Sequence, residues 1–461
     1  MADIDRVIQS AARLCEPTPA ESAKIARVAD RALTLVKQTV SGLAEVEDVE
    51  PGGSYAKGTW LHGGADVDIF VKFNRSVPVE KFEKTGKEIG LSALRDHEPV
   101  LRYSDHPYVE AAISGVRVNV VPCYNVGKGG WQSAADRSVF HTRYVNERFD
   151  DKMRSEVRLL KRFLKTVGIY GAEISTSGFS GYVCEVLVLR YHAFKEVLEM
   201  AAEMQDLHVV AIEDFDTDIV KGFPGPLIVI DPVDPRRNLG TAISPESVAK
   251  FVLAARSFLA KPSAHFFSGK DPPGASRDPA GLYSSVLVVE FSHKKRPPDI
   301  VWGQLKRGAN AVAKQLEIAG FSVVRYDCTT DENSSAAFVF LLESLELPQK
   351  VKRKGPEVFR KSDSERFIDS ALRTSKKKRP YLLWADRDMR LAVLSDRKAT
   401  DARKFVNSLL ATPESAGVPR ELFDSERKFR IYSGSERSRL SPVVQNAIGR
   451  LTTIERLLFG D

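Results

Sequence analysis

Hydrophobic and polar positions follow two different periods in the first third of the chain. Up to about Val40, apolar residues recur at the spacing of amphipathic helices. From residue 65 to about residue 124, apolar and polar residues alternate in runs that are typical of half-buried strands. The pattern therefore predicts a mixed α/β domain over residues 1–140.

The segment 155–168 has the pattern of a helix with two faces. Its apolar positions share one side and its basic positions share another, at the same spacing. The apolar positions are Val157, Leu160 and Leu164, and the basic ones are Arg158, Lys161 and Lys165. A basic face beside a buried face suits a phosphate ligand, whereas a solvated helix surface is the ordinary alternative. This helix belongs to a second predicted domain, residues 141–260.

A change of composition marks a third predicted domain, residues 261–461. Proline, glycine, serine and aspartate are concentrated in 261–278, which is typical of a loop or a domain junction. Beyond it, the patterns predict in order a strand, a helix and two strands, followed by a further strand and helix. The first four of these elements are placed at residues 285–291, 300–319, 321–328 and 336–342. That order resembles a split βαβ sheet of the RRM type.

Two basic clusters flank the helical pattern SERFIDSALR in this third domain. They are Lys350, Lys352, Arg353 and Lys354, and Lys376, Lys377, Lys378 and Arg379. Contacts with a phosphate backbone and solvated loops explain such clusters equally well. The whole chain has 68 basic and 61 acidic residues, and its net charge of +7 suits a polyanionic partner.

The remaining composition excludes several classes of protein. With 43% hydrophobic and 28% charged residues, the chain is typical of globular proteins, and no apolar run approaches the length of a membrane span. The N-terminal sequence has neither the basic start nor the apolar block of a targeting signal, so we expect a cytoplasmic protein. The four cysteines are far apart and predict reduced structural thiols rather than a zinc site or disulfides.

Two aspartates share one face of a predicted strand. In the alternating run DVDIFV (66–71), Asp66 and Asp68 project to the same side. Neighbouring carboxylates repel each other unless a cation lies between them, and a pair of magnesium ions is the usual solution where triphosphates react. Two exposed aspartates on an edge strand are the ordinary alternative.

A glycine–serine turn stands just upstream of the aspartates, in GGSYAKGTW (52–60). At Gly53 the backbone can approach a phosphate closely, and Ser54 and Lys57 supply a hydroxyl donor and a positive charge. Ser54 and Lys57 would then hold a triphosphate beside the two carboxylates. The turn and the paired aspartates together resemble the DNA polymerase β nucleotidyltransferase superfamily.

Further segments narrow the resemblance to archaeal-type, class I CCA-adding enzymes. They are HPYVEAAISGVRVNVVPCY (106–124), FHTRYVNER (140–148), EVRLLKRFLKTVGIYGAEISTSGFSGY (156–182) and IDPVDPRRN (230–238). The resemblance covers roughly residues 40–260, and the C-terminal part is similar only in its order of elements. It implies a polymerase-β-like head, a helical neck, and an RRM-like body and tail. The implied activity is the addition of CCA to the 3′ end of tRNA from CTP and ATP, with two Mg²⁺ ions.

The resemblance also assigns roles to individual residues. Asp66, Asp68 and the residue at position 119 would hold the metal ions, while Gly53, Ser54, Lys57, His141, Lys161 and Tyr170 would surround the triphosphate. An arginine of DPRRN would read the incoming base, because a planar fork of donors can accept C and A and reject G and U. We choose Arg237, with Arg236 as the alternative. The acceptor stem and 3′ end of the tRNA would be bound by shape and backbone, and a homodimer is left open.

One position departs from the family pattern. The family's third carboxylate falls on the strand VRVNVVPC (116–123), where this chain has Asn119. Asparagine cannot take a proton, so the loss of a general base would slow the reaction by about 10²- to 10⁴-fold. If Ser114 and Gly115 form a two-residue hairpin turn, Glu110 lies opposite Asn119 at a Cβ separation of roughly 5 Å, and its longer side chain would supply the missing carboxylate. An engineered substitution at position 119 is the alternative explanation.

Two other functions stay open at this point. A related terminal transferase, poly(A)-like or oligoadenylate-synthase-like, shares the aspartates and the glycine–serine turn, but DPRRN and the neck disfavour it. An RNA-binding pseudoenzyme that lost turnover through Asn119 is the other alternative. Ordered incorporation of C, C and A into a tRNA that lacks CCA distinguishes the three hypotheses.

Overall fold

A computed structural model describes residues 2–103, 106–268, 281–373, 379–423 and 428–459. The chain divides into two compact units, one formed by Met1–Pro273 with Ile454–Asp461 and the other by Gly274–Thr453. Each unit encloses hydrophobic clusters of its own, as expected of parts that are stabilised separately.

The first unit begins with two helices and a five-stranded sheet. The helices are α1 (Ala2–Cys15) and α2 (Pro19–Val40), in agreement with the amphipathic pattern up to Val40. The sheet region comprises β1 (Val46–Gly52), α3 (Gly53–Ala56), β2 (Asp66–Asn74), α4 (Val79–Ala93), β3 (Val100–Tyr103), β4 (Pro107–Ile113) and β5 (Val116–Asn125). The strand order is β1-β2-β5-β4-β3, and β2 and β5 are parallel neighbours whereas the other pairs are antiparallel.

The alternation along β2 gives the sheet one apolar face and one face that carries the two aspartates. Val67, Ile69 and Val71 are at most 1% exposed and pack in a cluster with residues of α2 and α4. Asp66 and Asp68 alternate with them and are only partly buried. Because side chains on a strand alternate between its faces, the two aspartates lie on the face opposite these helices.

The prediction of strands throughout residues 65–124 is wrong for Val79–Ala93, which forms α4. Gly86 and Gly90 obscure the helical pattern, since glycine is a poor helix former. Both are required by packing: an added Cβ would lie 2.8 Å from the Pro122 Cβ at position 86 and 2.6 Å from the Val109 Cβ at position 90. The helix therefore lies so close to the sheet that only glycine fits at these positions.

A mainly helical segment completes the first unit. It contains α5 (Ala134–Asn146), α6 (Asp151–Val167), α7 (Gly181–Tyr191), α8 (Phe194–Ala202), β6 (His208–Val210), β7 (Leu227–Val229), α9 (Pro245–Ala260) and α10 (His265–Ser268). β6 and β7 form a short parallel pair. Phe163 of α6 lies at the centre of an aromatic cluster with Phe194, Phe258 and Phe266. This core fixes α6 and α7, which carry residues of the candidate site.

The second unit is built on an RRM-like sheet. Its elements are β8 (Val286–Ser292), α11 (Pro298–Ala319), β9 (Val323–Thr330), β10 (Ser335–Leu342), β11 (Lys350–Glu357), α12 (Lys361–Arg373), β12 (Leu382–Ala385), β13 (Arg390–Asp396), α13 (Ala402–Leu410), β14 (Phe429–Ser433) and α14 (Pro442–Thr452). The antiparallel sheet has the order β14-β8-β10-β9, which is that of a split βαβ fold, and β11, β13 and β12 form a separate sheet. The predicted strand–helix–strand–strand order is confirmed. The last helix of the chain, α15 (Arg456–Phe459), belongs to the first unit, where it packs on α9.

Several smaller expectations are tested by the same structure. The first basic cluster lies on strand β11 rather than on a loop. Residues 269–278 of the expected junction and Lys376, Lys377 and Lys378 lie outside the described residues. All four cysteines are buried and unpaired, as predicted. Within the described ranges, no helix is both long enough and apolar enough to cross a membrane.

Candidate active site

The register between β2 and β5 brings the sequence-predicted acidic residues together. In this parallel pair, Asp66 lies beside Arg117 and Asp68 lies beside Asn119. The Asn119 Nδ2 donates a hydrogen bond of 2.8 Å to Asp68 Oδ1, and the Arg117 Nε lies 3.5 Å from Asp66 Oδ1. The two aspartates and Asn119 therefore occupy one face of the sheet.

The glycine–serine turn lies directly against Asp68. Gly52 ends β1 opposite Asp68, and Gly53 has a φ of +64°, a value that favours glycine. A Cβ added at Gly53 would lie 1.8 Å from Asp68 Oδ2. Ser54 and Lys57 follow at once, in and just after the short helix α3. The sequence motif thus folds into one compact corner of the sheet.

The electrostatics of this corner favour a cation. Burial raises the pKa of Asp68, and the hydrogen bond from Asn119 and the charge of Lys57 do not offset it. Burial also raises the pKa of Asp66, with Asp68 and Glu110 adding to the shift and Arg117 opposing it. Raised carboxylate pKa values mean that the ionised forms lack sufficient compensating positive charge.

Asn119 supplies a further oxygen to the same corner. Its Oδ1 is buried and has no hydrogen-bond partner among the described residues. Two carboxylates and an amide oxygen form a donor set that suits a hard divalent cation such as magnesium. Within the described part of the chain, no group of three or more His, Cys, Asp or Glu side chains could hold a metal. A metal site at this corner would therefore use the Asn119 oxygen as a ligand beside the two carboxylates.

The hairpin expected next to Asn119 is confirmed. Ser114 and Gly115 have φ values of 51° and 76°, as a two-residue turn with two left-handed positions requires. Ile113 pairs with Val116, and Glu110 pairs with Asn119. Glu110 is thus on the face of the aspartates.

The Glu110 carboxylate is already ion-paired in this structure. It accepts a hydrogen bond of 2.8 Å from the Arg102 Nη2 and lies 3.9 Å from the Arg117 Nε. Since Arg117 also approaches Asp66, the two acids share one arginine. That Glu110 supplies the missing carboxylate stays a prediction.

A second cluster, which we call the lysine cluster, consists of Lys57, Thr59, Lys161 and Glu185. The exposed fractions of these four residues are 7%, 0%, 1% and 0%. Lys57 Nζ lies 2.5 Å from Glu185 Oε2, and Lys161 Nζ lies 3.1 Å from Glu185 Oε1. Thr59 Oγ1 donates a 2.6 Å hydrogen bond to Glu185 Oε1. Burial alone would raise the pKa of Glu185, but the two lysines and these hydrogen bonds outweigh it and lower that pKa to about 2.

The expected basic face of α6 is wrong for two of its three residues. Lys161 is buried among the residues of the lysine cluster, and Arg158 binds Glu16 and the carbonyl of Gly58, whereas Lys165 is exposed. Side chains at matching helical spacing share a face only roughly, and the packing of α7 and of the segment at Gly58 and Thr59 against α6 decides which are covered.

Tyr170 reaches the same region after α6 ends at Gly168, whose φ is 83°. A Cβ added at Gly181, the first residue of α7, would lie 3.3 Å from both the Tyr170 hydroxyl and Lys161 Nζ. Tyr170, Lys161 and the beginning of α7 therefore meet at one point. Burial raises the pKa of Tyr170, so its hydroxyl stays protonated and can donate to an anion.

His141 on α5 belongs to a third group with Asp231 and Arg237. His141 Nε2 lies 2.9 Å from Asp231 Oδ2, and the Arg237 Nη1 lies 3.6 Å from the same oxygen. The Tyr182 ring stacks on the His141 ring at 3.8 Å. Burial lowers the pKa of His141. A neutral ring with its proton on Nε2, facing the carboxylate, fits this geometry.

The other arginine of DPRRN has a different environment. Arg236 is 74% exposed, and its Nε lies 3.7 Å from Asp234 Oδ1. Arg137 of α5 binds the same aspartate at 3.0 Å. Arg237 is less exposed, at 43%, and is directed by Asp231 towards His141.

Lys57 connects these groups. Its charge opposes the rise in the pKa of Asp68, and its Nζ lies 5.3 Å from the Tyr182 ring, which stacks on His141. Lys57 also follows Gly53, the residue packed against Asp68, by four positions. This member of the lysine cluster is therefore close both to the acidic corner, formed by Asp66, Asp68 and Asn119, and to the His141 group.

Three residues of the site were not predicted from the sequence: Thr59, Glu185 and Asp231. Glu185 had a readable signal, since a carboxylate inside the apolar run YVCEVLVLR can be buried only with a cationic partner. The partners themselves lie 24 and 128 positions away, and only the tertiary structure identifies them.

Three family models match successive parts of the chain. "Nucleotidyltransferase domain" matches residues 31–145, "tRNA nucleotidyltransferase, second domain" matches 155–268, and "CCA-adding enzyme, C-terminal domain" matches 283–434.

Solved structures show more distant likenesses. A structure described as that of a cytoplasmic RNA terminal U-transferase has a TM-score of 0.46 and 13% identity, and the match covers 59% of this chain and 100% of that chain. The structure of CdnC from E. coli MS115-1 with ATP has a TM-score of 0.43 and 16% identity, with 57% and 94% covered.

Curated relatives match over most of their length. The CCA-adding enzyme of Methanothermobacter thermautotrophicus is 37% identical over 391 residues, which are 82% of this chain and 83% of that protein. The CCA-adding enzyme of Pyrobaculum aerophilum is 36% identical over 419 residues, or 89% and 94% of the two chains. Identity of this degree over such a span establishes the family, and the chain belongs to the CCA-adding enzymes.

Proposed function

We propose that this chain adds CCA to the 3′ end of tRNA, using CTP and ATP, by nucleotidyl transfer without a nucleic-acid template. The observation that carries the proposal is the turn at Gly53 packed against Asp68, with Asn119 on the neighbouring strand. In a member of the CCA-adding family, this corner is where a nucleoside triphosphate and a divalent metal would meet.

The acidic corner would perform the chemistry of transfer. Asp66, Asp68 and Asn119 would hold two magnesium ions, which when bound supply activation of the RNA 3′ hydroxyl and charge compensation for the leaving pyrophosphate. The RNA hydroxyl oxygen would bond to the α-phosphorus of the nucleotide as the bond to the β-phosphate oxygen breaks. Positioning and electrostatics supply most of the acceleration in such reactions.

The triphosphate would lie next to this corner. Ser54 and the backbone freed by Gly53 would contact phosphate oxygens, and Lys57 would add positive charge. Lys161 shares Glu185 with Lys57, Tyr170 meets Lys161 at Gly181, and His141 stacks on Tyr182, whose ring lies 5.3 Å from Lys57 Nζ. These three residues complete the set that we propose for nucleotide binding. The Tyr170 hydroxyl would donate a hydrogen bond to a phosphate oxygen.

We propose Arg237 as the residue that reads the incoming base. Its guanidinium is less exposed than that of Arg236 and lies near Asp231, which also holds His141 at the triphosphate end of the site. A fixed fork of donors can match acceptors on cytosine and adenine. Arg236 is more exposed and paired with Asp234, so we propose only a supporting role for it.

The proposal includes the remaining partners. The basic strand β11 would contact the phosphate backbone of the tRNA. We also propose a cytoplasmic location. A homodimer is a further prediction, which light scattering tests.

Incorporation of single labelled nucleotides tests the function. A tRNA without CCA is incubated with the protein, Mg²⁺ and one labelled triphosphate or ordered mixtures. We expect two C additions and then one A addition, with no incorporation of G or U. Continued addition of A alone would favour a poly(A)-like transferase, and tRNA binding without incorporation at high magnesium would favour an RNA-binding pseudoenzyme.

A further inference from the structure

We propose that Arg137 is a positioning residue for nucleotide selection, which acts through Asp234 to fix the loop that carries Arg237. The inference rests on the proposed function, because Arg237 is the residue that we propose to read the incoming base. It gives a role to the ion pair between Arg137 and Asp234. Neither of these two residues is among those that we propose to contact the nucleotide.

Four donor side chains on one face of α5 and the turn after it bind carboxylates of the segment 213–234. They are Arg137, His141, Tyr144 and Arg148, whose spacing of three or four residues keeps them on the same side of the helix. Their carboxylate partners are Asp234 for Arg137, Asp231 for His141, and Glu213 for Tyr144 and Arg148. The helix therefore holds this segment at three points, and two of them lie in the segment 231–237, which we call the base-reading loop.

Backbone hydrogen bonds connect Asp234 to Arg237 inside the base-reading loop. The Arg237 backbone N–H donates to the Asp234 carbonyl at 2.9 Å, and the Asp231 N–H donates to the Arg237 carbonyl at 3.1 Å. At the end of the loop, the side-chain oxygen of Asn238 accepts from the Val229 N–H at 2.9 Å. Because Asp234 and Arg237 are bonded directly, a shift of Asp234 is passed to Arg237.

The environment of the ion pair makes Arg137 the stronger partner of Asp234. Asp234 is 6% exposed, and the Arg137 Nε donates to its Oδ2 at 3.0 Å. The Trp131 ring lies 5.7 Å from the Arg137 guanidinium carbon and covers it from one side. Arg236 approaches the same carboxylate only to 3.7 Å and from the exposed side. A shielded pair is screened less by salt than an exposed one, so Arg137 determines where the Asp234 carboxylate lies.

The beginning of α5 is tied to the strand that carries Asn119. Asp136 is 1% exposed, and its carboxylate accepts the backbone N–H of Tyr124 on β5 at 2.7 Å and that of Ser133 at 2.8 Å. Arg137 is the next residue on the helix. The contacts from β5 through Asp136 and Arg137 to Asp234 therefore place the base-reading loop relative to the acidic corner.

Replacement of both members of the ion pair, singly and together, tests this role. The readout is the ratio of kcat/KM for CTP to that for UTP on a tRNA that lacks CCA. Arg137→Met and Asp234→Ala should each lower this ratio by about tenfold or more, because a displaced Arg237 no longer matches cytosine. The double variant should lie within about twofold of the more affected single variant, since both changes break the same contact. Arg137→Lys can keep the ion pair and should retain most of the discrimination.

Calorimetric titration of the full chain distinguishes a positioning role from a general loss of structure. Inorganic tripolyphosphate reports phosphate binding alone, whereas CTP also reports contacts with the base. Arg137→Met should weaken CTP binding by about tenfold and leave tripolyphosphate binding within about twofold of the unchanged protein. Equal losses for the two ligands would contradict the inference, because the variant would then have damaged the whole nucleotide site.

The other end of the same helix face supplies matched controls. Arg148→Met and Glu213→Ala break a carboxylate contact between α5 and the same segment, but Glu213 lies outside the base-reading loop. Both variants should keep the ratio of CTP to UTP use. Thermal midpoints are measured for all variants, so that a change in the ratio is compared at similar losses of stability.

Three results would overturn the inference. The first is an unchanged ratio in Arg137→Met and Asp234→Ala. The second is a lowered ratio in Arg137→Met alone, since Arg137 would then contact the nucleotide itself. The third is an equally lowered ratio in the control variants.

If Asp234→Ala does not fold, the comparison of Arg137→Met with Arg137→Lys still decides the question through the two titrations. The failure of the proposed function is measured separately, as the loss of ordered C, C and A addition by the unchanged protein.

Discussion

At position 119, an amide occupies the place of a carboxylate, and the hairpin puts Glu110 beside it. We predict that Asn119→Asp keeps or raises the rate of nucleotide addition, whereas Glu110→Gln lowers it by about 10²-fold or more, as the loss of a required carboxylate would. Single-turnover incorporation of C into a tRNA lacking CCA measures both rates.

A matched acid on the same sheet serves as the control for Glu110. Glu50 on β1 is ion-paired with Lys72 at 2.6 Å, and Lys72 lies four positions beyond Asp68 on β2, so Glu50→Gln should leave the rate unchanged. Full activity of Glu110→Gln would rule out Glu110 as the replacement carboxylate and leave Asn119 with only its oxygen.

Asp68 illustrates a conflict between stability and function. Burial raises its pKa, so its charged form, present above that pKa, is the destabilising one. We predict that Asp68→Asn raises the unfolding midpoint of the metal-free protein by roughly 2 °C or more and reduces addition by more than about 100-fold. The oxygen of the new amide can still accept the hydrogen bond from Asn119 Nδ2.

Scanning fluorimetry with EDTA and then with Mg²⁺ tests this prediction. Magnesium should raise the midpoint of the unchanged protein and have little effect on Asp68→Asn. A variant that is less stable without metal would show that the Asp68 charge is already compensated by Lys57 and Arg117.

Among the secondary-structure elements, the turn between β1 and α3 is the most tightly constrained part of the site. We predict that Gly53→Ala abolishes nucleotide addition, because φ is +64° and the new Cβ would overlap Asp68 Oδ2. The variant should also lose about 1 kcal/mol or more of unfolding free energy. Incorporation assays and thermal unfolding measure the two effects.

Gly63 provides a closely matched control for that variant. Its φ is +71°, but an added Cβ meets nothing within 4 Å. Gly63→Ala should therefore show a similar backbone strain and near-normal activity. Equal losses of activity in the two variants would attribute the effect to strain and not to displacement of Asp68.

Among the secondary-structure elements, the features that depend on contacts between residues close in sequence could be predicted. The features that depend on contacts between distant residues could not. The hairpin at Ser114 and Gly115 could be predicted because a two-residue turn and a period of two determine the register. Helix α4 could not, since Gly86 and Gly90 reflect packing on the sheet rather than helix propensity. Glu185 was missed for a similar reason, because its partners come from distant parts of the chain.

In the molecule as a whole, the order of strands was predictable and the borders of domains were less so. The C-terminal pattern predicted strand, helix, strand, strand, which the β14-β8-β10-β9 sheet confirms. The division at residues 140 and 260 stays a prediction, since the structure separates two compact units and the family models cover 31–145, 155–268 and 283–434. Sequence composition marks linkers but does not say which segments share a core.

The second unit can contribute positive charge to RNA binding through the lysines of strand β11. Lys350 is exposed and lies over the Tyr381 ring at 4.5 Å, whereas Lys354 lies 3.3 Å from Asp388 and is partly compensated. We predict that Lys350→Ala weakens tRNA binding and lowers the slope of log affinity against log salt by about 0.7–0.9, as one lost phosphate contact requires. Filter binding across a salt series measures the slope.

Lys354→Ala is the control for this strand, since the Asp388 carboxylate already compensates its charge. It should change the slope less, and both variants should bind CTP normally because the residues that we propose for nucleotide binding belong to the first unit. If neither variant alters the salt dependence, the cluster is a solvated face. The net charge of +7 would then have to act on tRNA through other residues.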